Sequence, residues 1–364
     1  MKKTQVALAA LALVASTAAM AEVKIYGTLD AAVARSNNNV GTYFDGTGSW
    51  TAPSHLGLRG SEDLGNGLKA NWNLETGVSL NNGAATSGGY GGATANTNGA
   101  GALFTRVATV GLSGDFGSLN LGQQLSPFIV TNAVGTAGNG AFFVNRMLMV
   151  GFGGAAAANA ANTNFPYDGF FVPNSVLYTS PAIAGWTLNA MTTTKNGAKD
   201  GAMPQAAVET DQYTAVTVNG ALGPVAVNLG YQSRKNVNSG YSISASMPLT
   251  SDLTVYGNYL NNDETKTAGI GTGEKIGSTS ISLAYKVSPA LTANLQYARN
   301  DQSNAQTLTS IGLQYALSKQ TFTYASWGKG TNGAQASFAD RGRTTFTGDG
   351  ADTTNVAVGV AHSF

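Results

Sequence analysis

The chain has no cysteine and only two histidines, His55 and His362. Disulfides are thereby excluded, and no His and Cys cluster exists from which to build a zinc or haem site. Charge is scarce as well. Twenty Lys and Arg and 19 Asp and Glu make up 11% of the residues, and no basic run marks a nucleic-acid surface. Proline is rare at nine, against 47 glycines, a balance that suits many strands, tight turns and long loops of small residues. Long apolar runs are also missing. Beyond residue 21 nothing reaches the roughly 18 consecutive apolar residues of a membrane helix. The nearest stretch, Met147 to Ala158, is too short and too rich in Gly and Ala.

The first 21 residues carry the one uninterrupted apolar signal. Lys2 and Lys3 precede an apolar run from Val6 to Ala15, and Ala19-Met20-Ala21 is a small-x-small cleavage site. This pattern predicts a cleaved secretory signal over 1–21 and a mature chain from Glu22. Without Lys2 and Lys3 the mature chain has 18 basic against 19 acidic residues, close to neutrality. An exported chain without disulfides must be held by backbone pairing and packing.

From Ser54 to Leu80 the sequence reads as a β-hairpin. Leu68, Ala70, Trp72, Leu74, Thr76 and Val78 alternate with Lys69, Asn71, Asn73, Glu75 and Gly77, so one face is apolar and the other polar. The connection through Gly65-Asn66-Gly67 offers residues that tolerate positive φ. Val23 to Ser36 repeats the pattern, with Val23, Ile25, Leu29, Ala31 and Val33 opposite Lys24, Tyr26, Thr28 and Asp30. A polar face carrying lysine and aspartate is ill suited to a closed apolar core. A water-filled lumen accommodates it, with the apolar face toward lipid.

The rest of the chain alternates short turns with long polar loops. Phe104 to Gly114 turns into Ser118 to Gln123, although Arg106 shares parity with apolar Ala108 and Val110. From Gln124 to about Asp168 comes the longest interruption. It has no carboxylate ahead of Asp168, one cation (Arg146), and apolar side chains that include Phe128, Phe142, Phe143, Met147 and Met149. Such an interval within a compact unit is functional or disordered. From Asn174 onward, strand pairs join at Pro181, Gly223-Pro224, Ser251-Asp252, Ser288-Pro289 and Ser318-Lys319. Aromatics on the apolar parity, Tyr231, Tyr241, Tyr259, Tyr285, Tyr297, Tyr315 and Trp327, suit interfacial girdles. The chain closes with Val356, Val358, Val360, His362 and Phe364 on one parity. Residues 22–364 are therefore expected to form one all-β domain. Its form is an up-and-down antiparallel transmembrane barrel of about sixteen strands, with short periplasmic turns and long extracellular loops.

Several stretches resemble the general porins of Gram-negative outer membranes, in particular the β-proteobacterial branch. They are Val23-Lys24-Ile25-Tyr26-Gly27, the run from His55 to Gly65, Val110-Gly111-Leu112, the run from Asn174 to Pro181, and the terminal His362-Ser363-Phe364. The resemblance implies a homotrimeric channel for small hydrophilic solutes and ions, with the loop at about 124–168 folded into the lumen. It further implies lipid and lipopolysaccharide around the barrel, and insertion by the barrel-assembly machinery through the strand ending at Phe364. Arg59 and Arg106 stand where such channels carry a ladder of arginines. His55 replaces another, Phe171 falls near a further one, and the inward loop lacks the family's acids.

Pore-lining candidates are accordingly Arg59, Arg106, His55, Arg146, Lys24, Tyr26, Asp30, Lys69 and Glu75. Lys24, Asp30, Lys69 and Glu75 have a blander reading as a wall ion-pair network. No catalytic constellation is visible, since His362 shares the lipid-facing parity and His55 alone cannot supply a nucleophile and a positioned base. No cofactor or nucleic-acid partner is expected. The expected function is passive diffusion with a weak anion preference that grows as pH falls toward 5 and His55 gains charge. The alternative is a solute-selective channel or ligand-binding, adhesin-like barrel, motivated by the apolar side chains of the inward loop. Their simpler role is to pack that loop against the wall.

Overall fold

The structure is a computed structural model. It describes residues 23–37, 41–46, 51, 53–86, 103–137, 171–193, 212–234, 238–263, 275–301, 305–331 and 352–364. The signal at 1–21, Arg146, and the aromatic and methionine side chains at 142–149 lie outside them.

Period-two alternation gives way to extended chain almost throughout. The first six strands are β1 (Lys24–Ser36), β2 (Gly41–Asp45), β3 (His55–Gly65), β4 (Leu68–Val78), β5 (Ala85–Thr86) and β6 (Val107–Gly114). After β7 (Gly117–Leu125) comes one helix, α1 (Pro127–Val134), followed by β8 (Phe171–Thr179) and β9 (Thr187–Thr193). Then run β10 (Tyr213–Leu222), β11 (Val225–Arg234), β12 (Asn238–Pro248), β13 (Leu253–Asp263) and β14 (Lys275–Lys286). The last are β15 (Leu291–Asn300), β16 (Thr307–Ala316), β17 (Thr321–Thr331) and β18 (Thr353–Ser363).

Strands β2 and β5 are short arms beside the loop ends of β1 and β4. The other sixteen form a closed antiparallel ring. In it β1 pairs with β3, β3 with β4, β4 with β6, and each later strand with the next until β18 returns to β1. Closure leaves no strand edge, the condition for crossing lipid with strands. The burial pattern is that of a membrane barrel. Val33, Val110, Ile243, Ile281 and Val358 are exposed on the outside, while Ser244, Ser282, Gln296 and Asn355 are buried on the inside. Tyr231, Tyr241, Tyr285, Tyr297 and Tyr315 are exposed on the outer face, as the girdle reading requires.

The seam is made where Thr28 faces Ser363 and Leu29 faces His362. Beyond that pairing, Gly27 N donates to Phe364 O (3.2 Å) and Phe364 N donates to Gly27 O (3.1 Å). The Phe364 ring lies where a Cβ on residue 27 would stand, within 2.7 Å of it.

A second fastening lies at Asp30, one of the residues expected in the wall network. Asp30 is wholly buried, and its carboxylate accepts from the Tyr324 hydroxyl at 2.6 Å, Thr51 N at 2.9 Å and the Thr51 hydroxyl at 2.6 Å. Ser54 Oγ accepts from Asp30 N and donates to Asp30 O. The carboxylate thus ties β1, β17 and the chain entering β3 together and does not line open lumen. Lys24 and Lys69 sit exposed near the short-turn rim. Donors to a buried carboxylate stabilise more than neutral pairs. Tyr324→Phe is expected to cost about 2 kcal/mol, read as a lower midpoint for loss of the folded barrel in urea. An unchanged midpoint would show that the Tyr324 hydroxyl contributes nothing to holding Asp30.

Candidate lumen site

The inner faces of β1, β3 and β4 bring one cluster together by register. Tyr26 faces Gly57 and Gly57 faces Glu75, so the three form a row across neighbouring strands. Gly57 has no side chain, and the Tyr26 ring lies across it, with its hydroxyl 2.7 Å from where a Cβ would be. From there the hydroxyl donates to Asn73 Oδ1 (2.7 Å) and Glu75 Oε2 (2.9 Å) in a three-centre arrangement. His55 lies edge-on to Tyr26, with ring centroids 6.2 Å apart. Its Nδ1 donates to Pro53 O (2.7 Å), which leaves Nε2 turned toward Glu75 Oε2 at 4.0 Å.

The two arginines are placed very differently. Arg106 Nε makes an ion pair with Glu75 Oε1, and its guanidinium lies over the Phe171 ring, 4.6 Å from the centroid. Both charged side chains are nearly covered, Arg106 at 12% and Glu75 at 9% exposure. Arg59 is exposed and lies over Tyr26, 4.7 Å from its centroid, with no carboxylate in ion-pair range among the described residues. Both contacts are cation–π pairs, which leave the guanidinium its charge. The awkward parity of Arg106 is also explained. Strand β6 begins only at Val107, so Arg106 precedes the regular ladder and its side chain turns inward. Its backbone N donates to Glu75 O (3.0 Å), while Gln123 Nε2 donates to the carbonyls of Thr105 and Arg106.

Across the lumen most of the inner side chains among the described residues are neutral. Asn228, Gln232, Ser244, Asn258, Ser282 and Gln296 occupy the inner faces of β11 to β15. The interval expected to be structureless begins differently: β7 runs to Leu125, and Ser126 then caps α1, its Oγ accepting from Phe128 N at 3.1 Å. The helix packs on the inner faces of β9 to β12. Phe128 is buried with Met191, Tyr213, Ala215 and Leu260, the packing role expected of it. Thr131 O accepts from Ser244 Oγ and Ala137 N donates to Ser282 Oγ, so the chain has crossed from β9 to β14 by residue 137.

The site therefore unites Tyr26, His55, Arg59, Glu75 and Arg106 from the expected set. It leaves out Asp30 and Lys69, sets Lys24 opposite Arg59 across β1 and β3, and adds Asn73, Gln123 and Phe171. A family model described as Gram-negative porin matches residues 7–335. The chain belongs to the Gram-negative porin family. Outer membrane porin protein 32 of Delftia acidovorans is 28% identical over 388 residues, covering 100% of both chains. Major outer membrane protein P.IB of Neisseria gonorrhoeae is 34% identical over 195 residues, 51% of this chain and 47% of that one. Among solved structures, an anion-selective porin from Comamonas acidovorans superimposes with a TM-score of 0.70 at 23% identity, covering 94% of this chain and all of that one. The trimer form of OmpT from Vibrio cholerae gives 0.62 at 14% identity, over 94% of this chain and 99% of that one. This porin is a passive outer-membrane diffusion channel for solutes and not an enzyme.

Proposed function

We propose that the channel prefers anions and that the inner wall of β1, β3 and β4 sets the preference. One observation carries this reading. Two guanidinium charges face a single carboxylate, and the unpaired one, Arg59, is exposed to the lumen while Arg106 is held by Glu75. In a narrow aqueous path between low-dielectric walls, such a fixed charge governs which ions pass. The similar fold of a porin described as anion-selective is consistent with it. The inward segment after Leu125 narrows the lumen, and three copies assemble as in the trimer form of OmpT. Residues 1–21 are removed on export, and the strand ending at Phe364 is read by the assembly machinery. Exposed Arg35 and Arg299, outward on the long-loop side, suit contact with lipopolysaccharide phosphates.

Reversal potentials in a KCl gradient test the proposal. Chloride preference is expected at pH 7, and a larger one at a pH low enough to protonate His55, which then adds charge beside Glu75. His55→Ala should remove the pH increment and leave the pH 7 value. Cation preference at both pH values would sink the assignment, and an undiminished pH response in the alanine variant would move the titration elsewhere. Liposome swelling with sugars of rising size is expected to show graded exclusion, whereas saturable uptake of one solute would mark a selective channel.

A further inference from the structure

The seven short turns that join successive strands on one rim share a feature that solvent exposure alone does not require. Each presents a large apolar side chain outward. In the turns of β12–β13, β14–β15 and β16–β17 these are Leu249 (52% exposed), Val287 (51%) and Leu317 (59%). The other four turns present Leu64, Phe116, Ile183 and Leu222, all exposed.

Three of the turns are built alike. The amides of Leu249, Val287 and Leu317 donate to the carbonyls of Leu253, Leu291 and Thr321 at 2.8, 2.9 and 2.9 Å. The next residue, Thr250, Ser288 or Ser318, accepts through its hydroxyl from the amide of the same closing residue, at 3.0, 3.1 and 3.0 Å. The hydroxyl thus locks the turn with its hydrophobe held at one orientation. That orientation continues the lipid-facing column: Leu249 follows Ile243, Ala245 and Met247, Val287 follows Tyr285, and Leu317 follows Leu313 and Tyr315. Residues at the turn tips, Ser251, Asp252 and Lys319, are polar and exposed. A water-facing turn gains nothing from an exposed Leu or Val, and their repetition in one ring forms a patch that needs a covering surface.

We propose that these side chains form an apolar hem seated in the glycerol and upper acyl region of the periplasmic phospholipid leaflet. Continuity with the lipid-facing wall names the occupant. The hem lies below the lower tyrosines Tyr285 and Tyr315, extends the apolar band past the last paired residues, and fixes the depth at which the barrel rides.

A chain without cysteine allows nitroxide labels to be placed singly. Leu249→Cys and Leu317→Cys, with Ser251→Cys and Lys319→Cys as turn-tip references, are labelled with a methanethiosulfonate nitroxide. The mature protein is reconstituted in phosphatidylethanolamine and phosphatidylglycerol vesicles, and power saturation is measured against oxygen and a water-soluble nickel chelate. The expected result is an oxygen-to-nickel accessibility ratio several-fold higher at 249 and 317 than at 251 and 319. Equal ratios at all four sites overturn the proposal, because the hem would then stand in water. Exclusion of both relaxants at 249 and 317 in native outer membranes, but not in vesicles, also overturns it by showing a protein partner on the rim.

Discussion

Glu75→Gln is expected to raise the proposed chloride preference of this porin, and Arg59→Ala to lower it. Glu75 neutralises Arg106 through their ion pair, so the cluster of Arg59, Glu75 and Arg106 carries a net single positive charge, open at Arg59. Removing the carboxylate doubles that charge, and removing Arg59 leaves a balanced pair. A unit charge roughly 8 Å from a passing ion contributes about 0.5 kcal/mol in water before screening, with opposite signs for chloride and potassium. The permeability ratio should therefore move roughly two- to sixfold for each unit of charge, more in dilute salt and less in concentrated salt. A pairwise test separates this account from general damage. Arg106→Ala alone leaves Glu75 to offset Arg59 and should lower the preference as Arg59→Ala does, whereas Glu75→Gln with Arg106→Ala should restore the parent value. Reversal potentials for the five proteins decide it. Failure of the double variant to return toward the parent would mean that Glu75 acts through the position of Tyr26, whose hydroxyl it also accepts, and not through charge.

Much of this arrangement was legible from side-chain alternation, because a barrel strand has only two faces and lipid tolerates only one of them. Tyr26, Arg59 and Glu75 fall inward by parity alone. Their mutual contacts did not show, since these depend on register between strands separated in sequence by long loops. Glu75 meets Arg106 because β4 pairs with β6 across 87–102, a stretch whose length and composition say nothing about register. Arg106 was further obscured by preceding its strand, where alternation no longer binds it. The Asp30 fastening was hidden for a similar reason, its partner Tyr324 being 294 residues away and brought near only when the ring closes. One signal was available and passed over. Ser126-Pro127 pairs a capping hydroxyl with a proline at the first helical position, and a short helix begins there. Its burial against Met191, Tyr213 and Leu260 had no local cue.

Two roles are proposed for Phe364, and substitution can separate them. Deleting Phe364 removes both backbone hydrogen bonds to Gly27 and a ring that is only partly covered, a loss of about 2–3 kcal/mol to the folded barrel. With the remaining strand junctions intact, purified truncated protein should still refold in detergent, with a lower midpoint in urea. Assembly in the cell is expected to suffer far more, because the deletion also removes the aromatic end by which the family resemblance predicts that the assembly machinery recognises the strand. Gly27→Val tests the seating role by itself. It keeps Phe364 but places a branched side chain where the ring lies, so the ring and the last pair of backbone bonds must shift. That variant should lower the urea midpoint by an amount similar to the deletion while retaining much more barrel in the outer membrane. Heat-modifiable gel mobility, applied to outer-membrane fractions and to refolded protein in parallel, reads both quantities. Normal outer-membrane levels of the truncated chain would remove the recognition role. If Gly27→Val and the deletion are equally depleted from the membrane, closure of the seam, and not recognition of Phe364, limits assembly.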